Sequence, residues 1–236
     1  MKEKNKLKDL IIIGASGFGK EVAWLAERIN TVEPTWNFLG FLDDNPEMAG
    51  KTVDDYPVLG GCDKAADYPD SYFVCAIGSS RIRKNVIGKL GAVHYATLID
   101  PSILISDRVA VGEGTIICAG NIITVDIFIG NHVIINLDCT IGHDAVLHDF
   151  VTLYPSVNVS GFTDIGACSE LGTGVQIIQM KKVGTNSIVG AGGVIIRDIP
   201  DNCTAVGSPA KPIKFHGGGV LRHSNYSIRS SLRECA

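Results

Sequence analysis

From residue 99 onward the chain repeats with a period of six. Ile99, Ile105, Val111, Ile117, Ile123, Ile129, Ile135, Ile141, Leu147, Leu153, Val159, Ile165, Leu171, Ile177, Val183, Val189 and Ile195 are seventeen consecutive aliphatic positions, with no miss and no insertion. The residue that follows is often glycine, as at Gly112, Gly130, Gly142, Gly166, Gly172, Gly184 and Gly190. Six residues make one short strand and one turn: the aliphatic side chain points inward, and the glycine or another turn former lets the chain change direction. One unit cannot bury its aliphatic residue alone, but stacked units bury a continuous apolar column. A β-sandwich would instead alternate with period two and break at turns about every 8–12 residues. An unbroken period of six excludes it.

The segment before the repeat is organised differently. Leu10–Ile13, the loop GASGFGK at 14–20 and the stretch EVAWLAERIN predict a strand, a glycine-rich loop and a helix, with Ala23, Trp24, Leu25 and Ala26 as the apolar stripe. A second apolar run, Phe38–Leu42, ends at Asp43 and Asp44. A third, Tyr72–Ile77, ends in Gly78-Ser79-Ser80 before a helix beginning near Arg81. This is a βαβ-type, Rossmann-like α/β arrangement around a small parallel sheet. A glycine loop at a helix N-terminus suits phosphate, because unpaired N–H groups and the helix dipole favour an anion. An acidic residue closing the second strand suits a ribose or base contact. The GxxGxG spacing differs from the dinucleotide GxGxxG, so NAD binding is not implied, and by itself the loop fits a simple tight turn equally well.

Composition narrows the class. The mean hydropathy is positive, yet no run approaches the eighteen or so apolar residues of a membrane span. The basic start, MKEKNKLKDL, leads into only four apolar residues before the glycines, which predicts a buried strand rather than a signal peptide. Net charge is −4 with no long basic run, against nucleic acid as a partner. Cysteines 62, 75, 118, 139, 168, 203 and 235 are odd in number and form no CxxC pair, so buried free thiols in a reducing cytoplasm are expected.

Five segments together carry a resemblance: GASGFGK at 14–20, FLDD at 41–44, AIGSSRIRK at 76–84, IGHDAVLHDFVTLYP at 141–155 and AVGSPAK at 205–211. The chain resembles the hexapeptide-repeat sugar O-/N-acyltransferases of the NeuD/PglD type, from about residue 9 to 214. That resemblance implies a left-handed parallel β-helix for the repeat, with three units to a coil and five to six coils. The expected organisation is a nucleotide-sugar-binding βαβ domain over 1–95 and an acetyl-CoA-binding catalytic β-helix over 96–215. A glycine- and serine-rich tail, 216–236, reads as mobile. The resemblance further implies that Gly14, Ser16, Gly17, Phe18 and Asp43 or Asp44 hold the nucleotide. It places Thr152, Thr173 and Ala191 along the CoA groove between neighbouring subunits, although one member of the family has histidine where Thr152 stands. The backbone N–H of Gly161 would bond the acetyl carbonyl, and Lys211, with Lys214, would close the groove. A homotrimer is implied, and flat aliphatic-rich prism faces favour such self-association.

Acetyl transfer from a thioester requires a base for the acceptor, stabilisation of the thioester oxygen and alignment of both substrates. His143 is the base candidate, and the adjacent Asp144 matches the family position that orients the imidazole. Lys181 and Lys182 could meet CoA phosphates or be solvated turn residues. No covalent acetyl-enzyme and no metal are required, so the cysteines stay structural. The expected activity is acetyl-CoA-dependent N-acetylation of the 4-amino group of a UDP- or dTDP-linked deoxy-aminosugar. O-acetylation of a sugar hydroxyl, as in the sialic acid enzymes, is the alternative. His143 and His148 also fit the His-x₄-His spacing of γ-class carbonic anhydrases, a zinc alternative that needs a further upstream histidine, for which only His94 and His132 are candidates. A non-catalytic nucleotide-sugar-binding module is the remaining possibility, disfavoured by the intact His143–Asp144 pair.

Overall fold

The strands of the N-terminal segment pair in the order β3-β4-β2-β1-β5-β6. They are β1 (Lys8–Ile13), β2 (Trp36–Leu42), β3 (Thr52–Val53), β4 (Tyr56–Gly60), β5 (Tyr72–Cys75) and β6 (His94–Tyr95). All pair in parallel except β3 with β4, a hairpin at one edge that the sequence pattern did not announce. Helices α1 (Gly17–Val32) and α2 (Ser80–Leu90) connect the central strands. The computed structural model describes residues 6–216, so Cys235 and the expected tail beyond His216 lie outside the described residues.

The helix α1 buries Val22, Ala23, Leu25 and Ala26, but not Trp24. Trp24 stands half exposed with the Arg28 guanidinium 5.1 Å from its ring centre. The expected stripe was one residue too wide: consecutive helical positions are about 100° apart, so four in a row cannot share one face.

Residues 98–206 form a left-handed parallel β-helix of three faces. Ile99, Ile117 and Ile135 are parallel neighbours, 18 residues apart, and so are the successive members of each face. The first face runs from Leu98–Ile99 to Cys203–Val206, the second from Leu104–Ile105 to Val194–Ile195, and the third from Ala110–Val111 to Lys182–Val183. The second residue of each two-residue strand points inward, and from Ile117 to Ile195 every one is buried. Each contributes roughly 1.5–3 kcal/mol of apolar burial. Ile99, Ile105 and Val111, in the opening coil, are less covered because nothing stacks beneath them.

The turns are not made where the sequence suggested. The residue that adopts the left-handed backbone lies three places after each aliphatic, at Asp126, Asp138, Asp144 and Asn186 among others. Asp and Asn tolerate that conformation best among residues with a Cβ. The glycine immediately after the aliphatic has another duty. A Cβ on Gly142 would lie 2.7 Å from the Gly161 nitrogen one coil above, and one on Gly172 would lie 2.7 Å from the Ala191 nitrogen. Those glycines exist for close stacking of coils.

The N-terminal domain sits on the first face. The outward residues Leu98, Ile116 and Ile134 are buried in one cluster with Leu10, Ile12, Val22 and Ala26. Higher on the same face the junction turns polar. Arg83 of α2 is wholly buried, and its guanidinium donates to the carbonyls of Ile77, Gly78, His132, Phe150 and Val151 and to the Thr152 hydroxyl, at 2.6–3.2 Å. Burial pulls this guanidinium down to about 10, still far above neutrality. Glu170 of the β-helix accepts the Ser80 N–H at 2.8 Å and both the Ser79 and Ser80 hydroxyls, which satisfies a free donor at the α2 N-terminus.

The lower junction is closed by Arg28, whose Nε donates to Asp100 Oδ2 at 2.6 Å and whose Nη2 donates to Oδ1 at 3.0 Å. Burial alone would raise the Asp100 carboxyl. The hydrogen bonds from Arg28 and Ser102 outweigh it and hold the group at about 2, below its ordinary 3.8. A depressed carboxyl stabilises the fold above its unfolded value and loses that contribution as pH falls through the folded one. Thermal melts of wild type and Asp100→Asn should therefore differ at neutral pH, and the gap should close as pH falls from about 4 to about 2.

Candidate active site

His143 stands two residues after the inward Ile141, at the edge between the second and third faces. Its Nδ1 lies 2.8 Å from Asp144 Oδ2, and both side chains are about half exposed. Asp144 has φ of 58°, so the left-handed corner that turns the coil also swings this carboxylate beside the ring. A carboxylate accepts only, which makes Nδ1 the protonated nitrogen and leaves Nε2 with its lone pair toward solvent.

The coil above supplies the other wall. Gly161 stacks 18 residues after His143, and a Cβ there would come within 2.7 Å of Nε2. The absence of a side chain is what gives the ring its place. The Gly161 N–H has no hydrogen-bond partner among the described residues and adjoins the imidazole. Phe162 packs edge-on against the ring, with centroids 5.1 Å apart. This contact was not anticipated from the sequence, where Phe162 reads as an ordinary turn residue.

Thr173 and Ala191 stack one coil apart at a different edge, between the first and second faces, and both are exposed. The single chain thus brings His143 together with Asp144 and Gly161, and Thr173 together with Ala191, with the second face between the two groups. Thr152 does not join either. It is buried at the domain junction, its hydroxyl accepting from Arg83 and donating to the Gly78 carbonyl at 2.8 Å, so it cannot line an open groove. Its outward position on the first face lies beneath the N-terminal domain, which six-residue periodicity alone cannot reveal. Lys211 begins the exposed strand Lys211–Phe215, antiparallel to Cys203–Val206 beyond the last coil. Lys182 is exposed, 3.8 Å from Asp164.

At the C-terminal ends of the parallel strands lies a cleft of about 210 Å³, between β1 and its two neighbours. Strand order reverses there, the usual place for a ligand in an open α/β sheet. Gly14, Ser16, Asp43 and Asp44 line it together with Cys62, Ile77 and Ile82. Gly14 has φ of 100°, and a Cβ on Gly19 would overlap its carbonyl oxygen, so two of the three loop glycines are required by geometry. Gly17 is exposed with open space around it, while Phe18 is half-buried against the domain core. Asp43 accepts from the Ala15 and Asn45 N–H groups, at 2.8 and 2.9 Å. Its carboxylate organises the loop. Asp44 accepts the Cys62 N–H at 2.7 Å through Oδ1 alone. Burial, and then this carboxylate, push the Cys62 thiol up to about 12, which makes it a neutral wall.

The histidines of the zinc alternative lie apart. His148 Nε2 is 3.1 Å from Asp164 Oδ1, and His132 is buried between Tyr95 and Phe150. Among the described residues no three His, Cys, Asp or Glu side chains converge as a metal site. Cys62, Cys75, Cys118, Cys139, Cys168 and Cys203 are free thiols.

A glycine-loop α/β cleft joined to a hexapeptide β-helix with a His–Asp pair at its edge defines a hexapeptide-repeat acyltransferase. Residues 9–90 match the PglD N-terminal domain. The chain is 30% identical over 213 residues to GDP-perosamine N-acetyltransferase of Escherichia coli O157:H7, covering 86% of this chain and 95% of the relative. It superposes on the acetyltransferase domain of PglB from Neisseria gonorrhoeae FA1090 in complex with acetyl coenzyme A with a TM-score of 0.81 and 33% identity, covering 88% of this chain and 100% of that domain. PerB from Caulobacter crescentus in complex with CoA and GDP-perosamine gives a TM-score of 0.80 and 30% identity, over 89% and 99% of the two chains. The chain belongs to the hexapeptide-repeat acyltransferase family, with the PglD-type N-terminal domain.

The edge geometry carries a direct expectation. In ¹⁵N NMR of the neutral imidazole, His143 should show protonated Nδ1 and free Nε2. Gly161→Ala should disturb those signals by displacing the ring, whereas Asp144→Asn, which tolerates the same backbone, should shift the tautomer without moving the coil.

Proposed function

We propose that this protein transfers acetyl from acetyl-CoA to the amino group of a nucleotide-linked deoxy-aminosugar, with His143 as general base. The observation that carries the reading is the His143–Asp144 pair beneath the unpartnered Gly161 N–H, in a chain that also has a nucleotide-sized cleft at its Rossmann-like switch point. The extensive likeness to GDP-perosamine N-acetyltransferases supports an N-acceptor over a sugar hydroxyl.

The chemistry follows from the atoms present. The acceptor nitrogen attacks the thioester carbonyl carbon while His143 Nε2 takes its proton, and the carboxylate of Asp144 stabilises the imidazolium through Nδ1–H. The Gly161 N–H donates to the carbonyl oxygen as negative charge builds there. The C–N bond forms, the C–S bond breaks, and the imidazolium returns its proton to the departing CoA thiolate. The stacked small residues Thr173 and Ala191 leave an open edge along which the pantetheine chain fits, and Lys211 offers charge to its phosphates.

The site is shared between copies of the chain. The N-terminal domain covers the first face, and His143 stands on the opposite edge of the prism, so an amine anchored in one chain's cleft cannot reach that chain's own base. The exposed apolar residues Ile122, Phe128, Phe162 and Met180 flank the His143 edge and give a second copy something to cover. A homotrimer satisfies both requirements.

A thiol-release assay with acetyl-CoA against UDP-, dTDP- and GDP-linked 4-amino sugars and free sialic acid tests the acceptor. Turnover on a nucleotide amino sugar is expected, and His143→Ala should lower it by about 10²- to 10⁴-fold. Turnover on sialic acid alone would reject the N-acceptor. Light scattering should give the mass of three chains. Mixed oligomers of His143→Ala and an Asp44→Ala cleft variant should recover activity that neither has alone, since some sites would then combine two intact halves.

A further inference from the structure

The cleft presents a charge problem. A nucleotide diphosphate carries two negative charges, yet the side chains lining the cleft include two carboxylates, Asp43 and Asp44, and no cation. Cations on the elements around it are engaged elsewhere. Lys20 pairs with Asp54 at 3.2 Å and Lys64 with Asp67 at 3.6 Å. Arg83 is buried and consumed by carbonyls, and Lys84 lies over the Phe150 ring.

A second cavity of about 300 Å³ abuts the cleft. Ile82, on the first turn of α2, lines both, and it is exposed on the ridge between them. On the far side of that ridge stand Ser79, Ser80 and Arg81, facing Glu170, Asn186 and Ile188 of the β-helix. Arg81 is exposed and is the one lysine or arginine lining either cavity among the described residues. The acid of this second cavity is already satisfied, because Glu170 accepts from Ser79 and Ser80 through Oε1 and from Tyr154 through Oε2. Nothing on the page neutralises Arg81.

We propose that Arg81 binds the diphosphate of the nucleotide-linked substrate where it leaves the cleft over Ile82. The proposal rests on the nucleotide-sugar reading above and adds the residue that supplies its missing charge. A guanidinium grips two phosphoryl oxygens at once, a geometry an ammonium cannot reproduce. The base and ribose lie against Asp44 and Cys62, the α1 loop meets one end of the diphosphate, and Arg81 meets the other.

Calorimetric titration of the full-length protein with GDP and UDP, and with guanosine and uridine, tests it at two salt concentrations. Wild type should bind at least one diphosphate. Arg81→Gln should weaken that binding by about ten- to a hundredfold, with a smaller salt dependence and nucleoside binding unchanged. Arg81→Lys should recover only part of the loss. In turnover the KM for the nucleotide sugar should rise, while kcat and the KM for acetyl-CoA hold. Equal diphosphate affinity in wild type and Arg81→Gln would overturn the assignment and leave the nucleotide cleft standing. An equal loss for the nucleosides would overturn it as well, since the effect would then come from the cleft's shape. A wild type that binds neither diphosphate would overturn the nucleotide-sugar reading, and the role of Arg81 with it.

Discussion

Everything in this molecule is set by the register of one apolar column. Inward aliphatic residues must land above one another every 18 residues, because a coil that slips leaves a void on one side and a clash on the other. The same register stacks the corners. His143 lies under Gly161 for the reason that Ile141 lies under Val159. The base and the N–H beside it are therefore positioned by backbone packing over the length of the helix rather than by a local loop. Rigid placement of this kind is what a direct transfer between two bound substrates requires.

The second constraint is the attachment of the α/β domain. Apolar packing on the opening coils is non-directional, and it would hold the domain without fixing its rotation. The polar contacts supply direction. Arg83 reaches five carbonyls, including those of His132 and Phe150, two stacked left-handed corner residues, and Glu170 meets the first turn of α2 from the other side. A buried guanidinium with too few acceptors would be costly, and here the corners of the β-helix provide them. The loop 76–80, which walls the nucleotide cleft, is thereby fastened directly to the catalytic domain.

Much of this was legible beforehand. The unbroken period of six gave the β-helix, and the glycine loop followed by the acidic end of β2 gave the α/β cleft. The pair His143–Asp144 was visible as a base beside a carboxylate. Other features were hidden for physical reasons. Arg81, Arg83 and Lys84 look alike in sequence, and helical phase separates them: Arg83 shares a face with Val86, Ile87 and Leu90, all packed in the domain interior or half-buried against it. The turn-making residues were misplaced because glycine serves two purposes in this fold, close stacking at one position and left-handed backbone at another.

By itself the sequence determined what repeats: inward and outward alternation, coil length, the chemistry at each corner and the kind of domain that precedes the coils. Those follow from local periodicity, which a chain carries wherever it is folded. Only the tertiary structure decided which of three similar outward faces the N-terminal domain would cover. Leu98, Ile116 and Ile134 on the first face are buried, while Leu104 and Ile122 on the second remain exposed, although all are the same kind of residue at the same step of the repeat. That choice buried Thr152 and left Thr173 and Ala191 open. It also set the cleft on the opposite side of the prism from His143, because contacts between distant segments depend on three-dimensional complementarity that no six-residue window contains.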